Sequence, residues 1–172
     1  EEVMNYFASS CRVIALDTRG HGRSPRGKEP FTIRQFAEDL LEFMDQQQIH
    51  QANLLGFSDG GNIALVFALK YPERMKKLIL NGTNLSAEGV KPSIQIPIEL
   101  GYRMTRFLSR FSSKAKEKEE MLGLMVNDPN VDPKELRKLV MPVLVIAGTK
   151  DMIKEKHTKM IAESIPDAWL SI

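Results

Sequence analysis

The stretch Asn53-Leu54-Leu55-Gly56-Phe57-Ser58-Asp59-Gly60-Gly61-Asn62-Ile63-Ala64-Leu65 passes from an apolar strand pattern to an apolar helix pattern with no residues left for an ordinary loop. A serine between glycines occupies the junction. That arrangement predicts a nucleophile elbow, in which a strained strand-to-helix turn lifts one side chain clear of the sheet. Small residues two before and two after the serine keep strand and helix from colliding, and Gly56 and Gly60 stand at those positions. The turn exposes Ser58 as a candidate nucleophile. It also sets the backbone N–H of Asp59 at a helix N-terminus, where it can stabilise a developing oxyanion.

The rest of the chain alternates strand and helix patterns around this junction. Cys11–Asp17 is a short β-branched run that reads as a buried parallel strand, followed by a glycine-rich turn through Arg19, Gly20, His21, Gly22 and Pro25. Arg19 and His21 read as scaffold there. Thr32 to Gln35 has capping-box spacing, and Ile33, Phe36, Ala37, Leu40, Phe43 and Met44 recur on one helical face. The helix after Ser58 is apolar nearly all round to Leu69 and stops at Tyr71-Pro72. Lys77–Gly82 and Val143–Gly148 read as further strands, the second leading to Asp151, and a last strand begins near Trp169. The order predicts an α/β fold with a mostly parallel sheet flanked by helices, all in one domain over residues 1–172.

Between Asn84 and about Lys138 the pattern is helical and rich in methionine, arginine and lysine. This reads as a helical cap inserted over the carboxyl ends of the strands. Met104, Met121 and Met125 are expected either to pack or to line an adaptable apolar pocket. Lys114 to Glu120 alternates in sign and reads as a solvated face.

Composition narrows the function classes. A net charge of +2 with 27% charged residues gives no polyanion signature, so no nucleic-acid partner is expected. No apolar run reaches the roughly 20 residues of a membrane span. One cysteine, Cys11, favours a reducing, cytoplasmic compartment, and three scattered histidines make no metal site. No cofactor is implied, and oligomeric state is not written in this pattern.

Four motifs, in order, resemble the α/β-hydrolase superfamily: Asp17-x-Arg19-Gly20-His21-Gly22-x-Ser24, the Gly56-x-Ser58-x-Gly60-Gly61 elbow, Tyr71-Pro72-Glu73-Arg74, and Met141-Pro142-x-Leu144-x-Ile146-x-Gly148-x-x-Asp151. The branch with a small helical lid, and within it the biphenyl-hydrolase-like serine hydrolases, is the nearest in wording. The resemblance implies Ser58 as nucleophile, Asp151 as the acid that orients a base, and the Asp59 N–H as one oxyanion donor. It also implies a histidine base after the last strand and a second oxyanion donor before the first helix. Glu1 opens the chain in what reads as a helix tail, and Ile172 ends it inside a strand. Those parts are therefore expected outside the 172 residues, which read as an internal piece of a longer product, unstable and inactive alone. His157 lies close to Asp151 in sequence but matches a position that is usually a surface histidine, and is not expected to be the base.

The implied function is a serine hydrolase acting on a small ester, amide or related acyl substrate through an acyl-enzyme. Phe57 and Asp59 are the expected substrate-binding side chains. Asp59 has two readings: it caps its own helix, or it receives a substrate ammonium group and selects α-amino esters. Carbon–carbon bond hydrolysis on the same triad, and a non-catalytic ligand-binding relative, are the alternatives.

Overall fold

The computed structural model describes residues 2–172, so of the expected helix tail only Glu1 lies outside the described residues. A four-stranded parallel sheet forms the centre, with β1 (Ala52–Phe57), β2 (Met75–Asn81), β3 (Val143–Ile146) and β4 (Ala168–Ser171) adjacent in chain order. Helices α3 (Asp59–Lys70) and α6 (Glu155–Ser164) pack against it, and α2 (Ile33–Gln46) packs on α3. The first helix, α1 (Glu2–Ala8), buries nothing.

Local chemistry accounts for the boundaries. The Thr32 hydroxyl accepts a hydrogen bond from Gln35 N–H at 3.1 Å, which caps α2. Helix α3 ends at Lys70 because Pro72, starting a single 3-10 turn, cannot continue it. Right-handed crossovers put α3 and α6 on one face of the sheet, and a 3-10 turn at Pro133–Lys138 packs against both. Leu65 and Phe67 of α3, Leu78 and Leu80 of β2, Val143 and Val145 of β3, and Ile161 of α6 are essentially fully buried between these layers. Burial of each such side chain contributes about 1.5–3 kcal/mol.

The expected strand at Cys11–Asp17 does not form. The run has no regular structure and pairs with no strand among the described residues, and Ile14 and Leu16 are 41% and 45% exposed. A strand needs a neighbour for its N–H and C=O groups, and β-branched composition alone supplies none. The turn after it keeps its expected form. Gly20 and Gly22 have φ of 75° and 52°, and a Cβ on Gly22 would lie 2.3 Å from the Asp17 carboxylate. Arg19 makes a two-pronged ion pair with Asp39 of α2, at 2.7 and 2.5 Å, which fastens the turn to that helix.

Between β2 and β3 the chain is helical: α4 (Pro92–Leu108) packs against α5 (Ser113–Asn127). Lys114 to Glu119 is largely solvated, whereas Glu120 accepts from Arg26 at 2.9 Å and ties α5 to the glycine turn. Met104 and Met121 are 63% and 48% exposed, while Met125 is half-buried. Among the described residues no helix is long and apolar enough to cross a membrane.

Candidate active site

Ser58 joins β1 to α3 with φ 54° and ψ −121°, a conformation that L residues rarely adopt. Holding it costs about 1–3 kcal/mol, recovered from the surrounding packing. Its N–H donates to the Asn81 carbonyl at 2.8 Å, and its carbonyl accepts from Gly61 and Asn62 at 2.8 and 3.1 Å. The backbone is thus fixed on both sides, while the hydroxyl makes no hydrogen bond among the described residues. Asp59 N–H, as the first donor of α3, has no intrahelical acceptor and remains free for an anion.

Two glycines permit this turn, and only one of them is Gly56 or Gly60. A Cβ on Gly56 would lie 2.2 Å from the Gly60 carbonyl oxygen, so strand and helix do meet there. A Cβ on Gly60 meets nothing within 4 Å among the described residues. Gly61 has the second close approach instead, with Thr83 Oγ1 at 2.1 Å from its would-be Cβ. The Thr83 hydroxyl is buried there without a hydrogen-bond partner among the described residues.

Asp151 stands beyond β3 at the same edge of the sheet. One oxygen, Oδ1, accepts from Ile153 N–H at 2.9 Å, and the loop is closed by Asp151 N–H donating to Gly148 at 3.0 Å. Its other oxygen, Oδ2, lies 3.3 Å from a Cβ placed on Gly82, and the Phe57 ring lies 3.8 Å from that same point. Gly82 directly follows β2, whose Asn81 holds Ser58. The carboxyl ends of β1, β2 and β3 therefore bring Ser58, Phe57 and Asp151 to one edge, with Oδ2 unbonded among the described residues. Phe57 is 68% exposed there.

Asp59 makes no side-chain hydrogen bond among the described residues; it is the acidic residue in the first turn of α3, whose N-cap position is Ser58. Burial raises its carboxyl above the usual carboxylate value, and the nearby His21 lowers it only in part. Asp128, at the end of α5, enters the same neighbourhood. Burial raises its carboxyl, the Ile33 N–H and Arg34 offset this in part, and the Asp59 charge raises it further. Sequence reading missed Asp128 because nothing local distinguishes it from any acid in a loop.

The histidines separate clearly. His50 is exposed near the amino end of β1, the opposite edge from Ser58, and His21 stacks on Phe31 with its ring centroid 6.0 Å away. His157 is half-buried: its Nε2 accepts from Leu85 N–H at 3.0 Å, and burial lowers its pKa, helped by Lys154 and opposed by Glu88. No histidine hydrogen-bonds Ser58 or Asp151 among the described residues. No group of three or more His, Cys, Asp or Glu is placed to hold a metal ion among them either.

Residues 1–120 match the model of the alpha/beta hydrolase fold family. The putative carbamate hydrolase RutD of Caulobacter sp. (strain K31) is 27% identical over 202 residues, covering 98% of this chain and 74% of that protein. That alignment is longer than the chain itself, so RutD carries residues inside the matched stretch that have no counterpart here. The serine hydrolase BPHL of Mus musculus is 34% identical over 113 residues, 64% of this chain and 36% of its own length. Among solved structures, a hydrolase from Pseudomonas aeruginosa PA01 superposes with a TM-score of 0.64 at 27% identity, over 90% of this chain and 68% of that one.

Proposed function

The chain belongs to the alpha/beta hydrolase fold family, as a hydrolase, and from that premise we propose that it is a serine hydrolase acting on small α-amino esters or related acyl compounds. The observation that supports this reading is the strained Ser58 turn with the Asp151 carboxylate at the same end of the sheet and the Asp59 N–H without an intrahelical acceptor.

Ser58 Oγ attacks the acyl carbon and passes its proton to the histidine base that the family resemblance implies, while the carbonyl oxygen takes up negative charge against the Asp59 N–H. Asp151 Oδ2 accepts from that imidazole and fixes its tautomer, because Oδ1 is already committed to Ile153 N–H. Collapse of the tetrahedral adduct expels the alcohol or amine, and water then releases the acyl group by the same route. Carbon–carbon bond hydrolysis would use the same residues.

Asp59 supplies the preference. A half-buried carboxylate with no protein partner is costly beside a developing oxyanion, and a substrate ammonium removes that cost. Asp128 adds a second acid on the same side. A charge-assisted hydrogen bond of about 1.5–3 kcal/mol corresponds to a preference of roughly ten- to a hundredfold for an amino ester. The test compares valine and isovaleryl esters in the full-length protein, with fluorophosphonate labelling as a separate readout of Ser58. A valine preference lost in Asp59→Asn is expected. Equal rates for both esters before and after the substitution would remove the ammonium reading, and absent labelling would remove the serine mechanism.

A further inference from the structure

The segment that leaves β2 towards α4 is held by side chains from two different elements. Asn62, 2% exposed and four residues after Ser58, exchanges two hydrogen bonds with Asn84: its Nδ2 donates to Asn84 Oδ1 at 3.1 Å, and its Oδ1 accepts from Asn84 N–H at 3.0 Å. The next residue, Leu85, donates its N–H to His157 Nε2 at 3.0 Å. His157 belongs to α6, six residues after Asp151, and its ring fills the space over Gly89, where a Cβ would fall 2.6 Å from it.

Further bonds join the same segment to the loop of the acid. Lys91 N–H donates to Met152, Lys154 N–H donates to Gly89, and Val90 bridges Ile153 in antiparallel fashion. The far end of the helical insertion returns to the same place, with Val131 N–H donating to the Leu85 carbonyl at 2.9 Å. Both ends of the insertion therefore meet at one knot. One side of the knot is the helix that starts at Ser58, and the other is the loop that carries Asp151.

On the reading that Ser58 and Asp151 are catalytic and the insertion is a lid, we infer that Asn62 and His157 are positioning residues which fasten the root of the lid, Asn84 to Lys91, to the nucleophile helix and to the acid loop. Seating the lid and aligning Ser58 with Asp151 then form a single event. A stabilising contact placed anywhere else on the insertion would hold the lid without registering it against either group. The Asn62 amide satisfies both the Oδ1 and the backbone N–H of Asn84, whose Nδ2 donates to the Ser86 carbonyl at 3.0 Å, so truncating Asn62 strands two groups of Asn84. The imidazole accepts from Leu85 only when Nε2 is unprotonated, so the proton of the neutral ring sits on Nδ1.

The experiment uses Asn62→Ala, His157→Ala and His157→Gln in the full-length protein, assayed well below each variant's thermal transition. Expected are a fall in kcat/KM of roughly ten- to a hundredfold in the two alanine variants, recovery in His157→Gln, whose amide oxygen can accept from Leu85, and faster amide exchange at Leu85 in His157→Ala. Folded alanine variants with wild-type kcat and KM would overturn the inference, as would unchanged exchange at Leu85. A loss in His157→Ala as complete as in Ser58→Ala, not recovered by glutamine, would also overturn it, because His157 would then be the base. If the wild-type protein cleaves no ester, the hydrolase reading fails separately, and the exchange measurement still decides whether His157 holds the lid root.

Discussion

Gly60 and Gly61 are identical in chemistry and adjacent in sequence, yet the elbow uses them differently. A methyl group on Gly61 runs into Thr83, whereas one on Gly60 enters open space. Gly61→Ala is expected to cost about 1–3 kcal/mol through overpacking, and Gly60→Ala to be neutral or to stabilise by about 0.4–1 kcal/mol through the unfolded chain. Chemical denaturation of the two variants checks this, and equal losses would place the steric constraint elsewhere. A glycine two residues past the serine is easily read as the one that matters. The distinction depends on where β2 delivers Thr83, which no local pattern records. Asp59 carries a second prediction at this scale. Its folded carboxyl is raised by burial, so the proton is bound more tightly in the folded state. Its contribution to stability is therefore full below the usual carboxylate pKa of about 3.9 and is lost as pH rises through the folded value. Asp59→Asn should raise the thermal midpoint at pH 7 and change it little at pH 3. A midpoint lowered at pH 7 would mean that Asp59 is compensated in the folded protein.

Among the elements, the ones written most plainly in the sequence are those whose partners lie nearby or whose burial is complete. The β1–α3 junction, the Thr32 cap and the end of α3 before Pro72 each follow from a few adjacent residues. Cys11–Asp17 has equally strand-like residues but no ladder, because pairing is a property of two segments and periodicity describes one. The consequence reaches β1, which is an edge strand with Leu55 49% and Phe57 68% exposed. An unpaired edge carrying apolar side chains invites pairing with another chain. The 172-residue chain should associate with rising concentration, and Leu55→Lys should suppress this in light scattering while leaving the melting transition within about 1 kcal/mol. Association unchanged by the substitution would locate the sticky surface off β1.

For the molecule as a whole, the candidate nucleophile and acid were legible, and the arrangement that joins them was not. Ser58 and Asp151 each sit at the end of a recognisable strand, so the parallel sheet suffices to bring them together. The knot at Leu85 draws on Asn62, Val131, Met152 and His157, spread over nearly a hundred residues, and an asparagine or a histidine in a helix gives no sign of a partner so distant. Asp128 is hidden in the same way. The sheet itself has a simpler plan, since each strand is added beside the one made before it. The four described strands can therefore dock in the order of their synthesis. By the time Asn81 has left the exit tunnel, the strand and helix around Ser58 already have the neighbour that holds the turn. The acid loop is made some seventy residues later and docks against a turn that is already set.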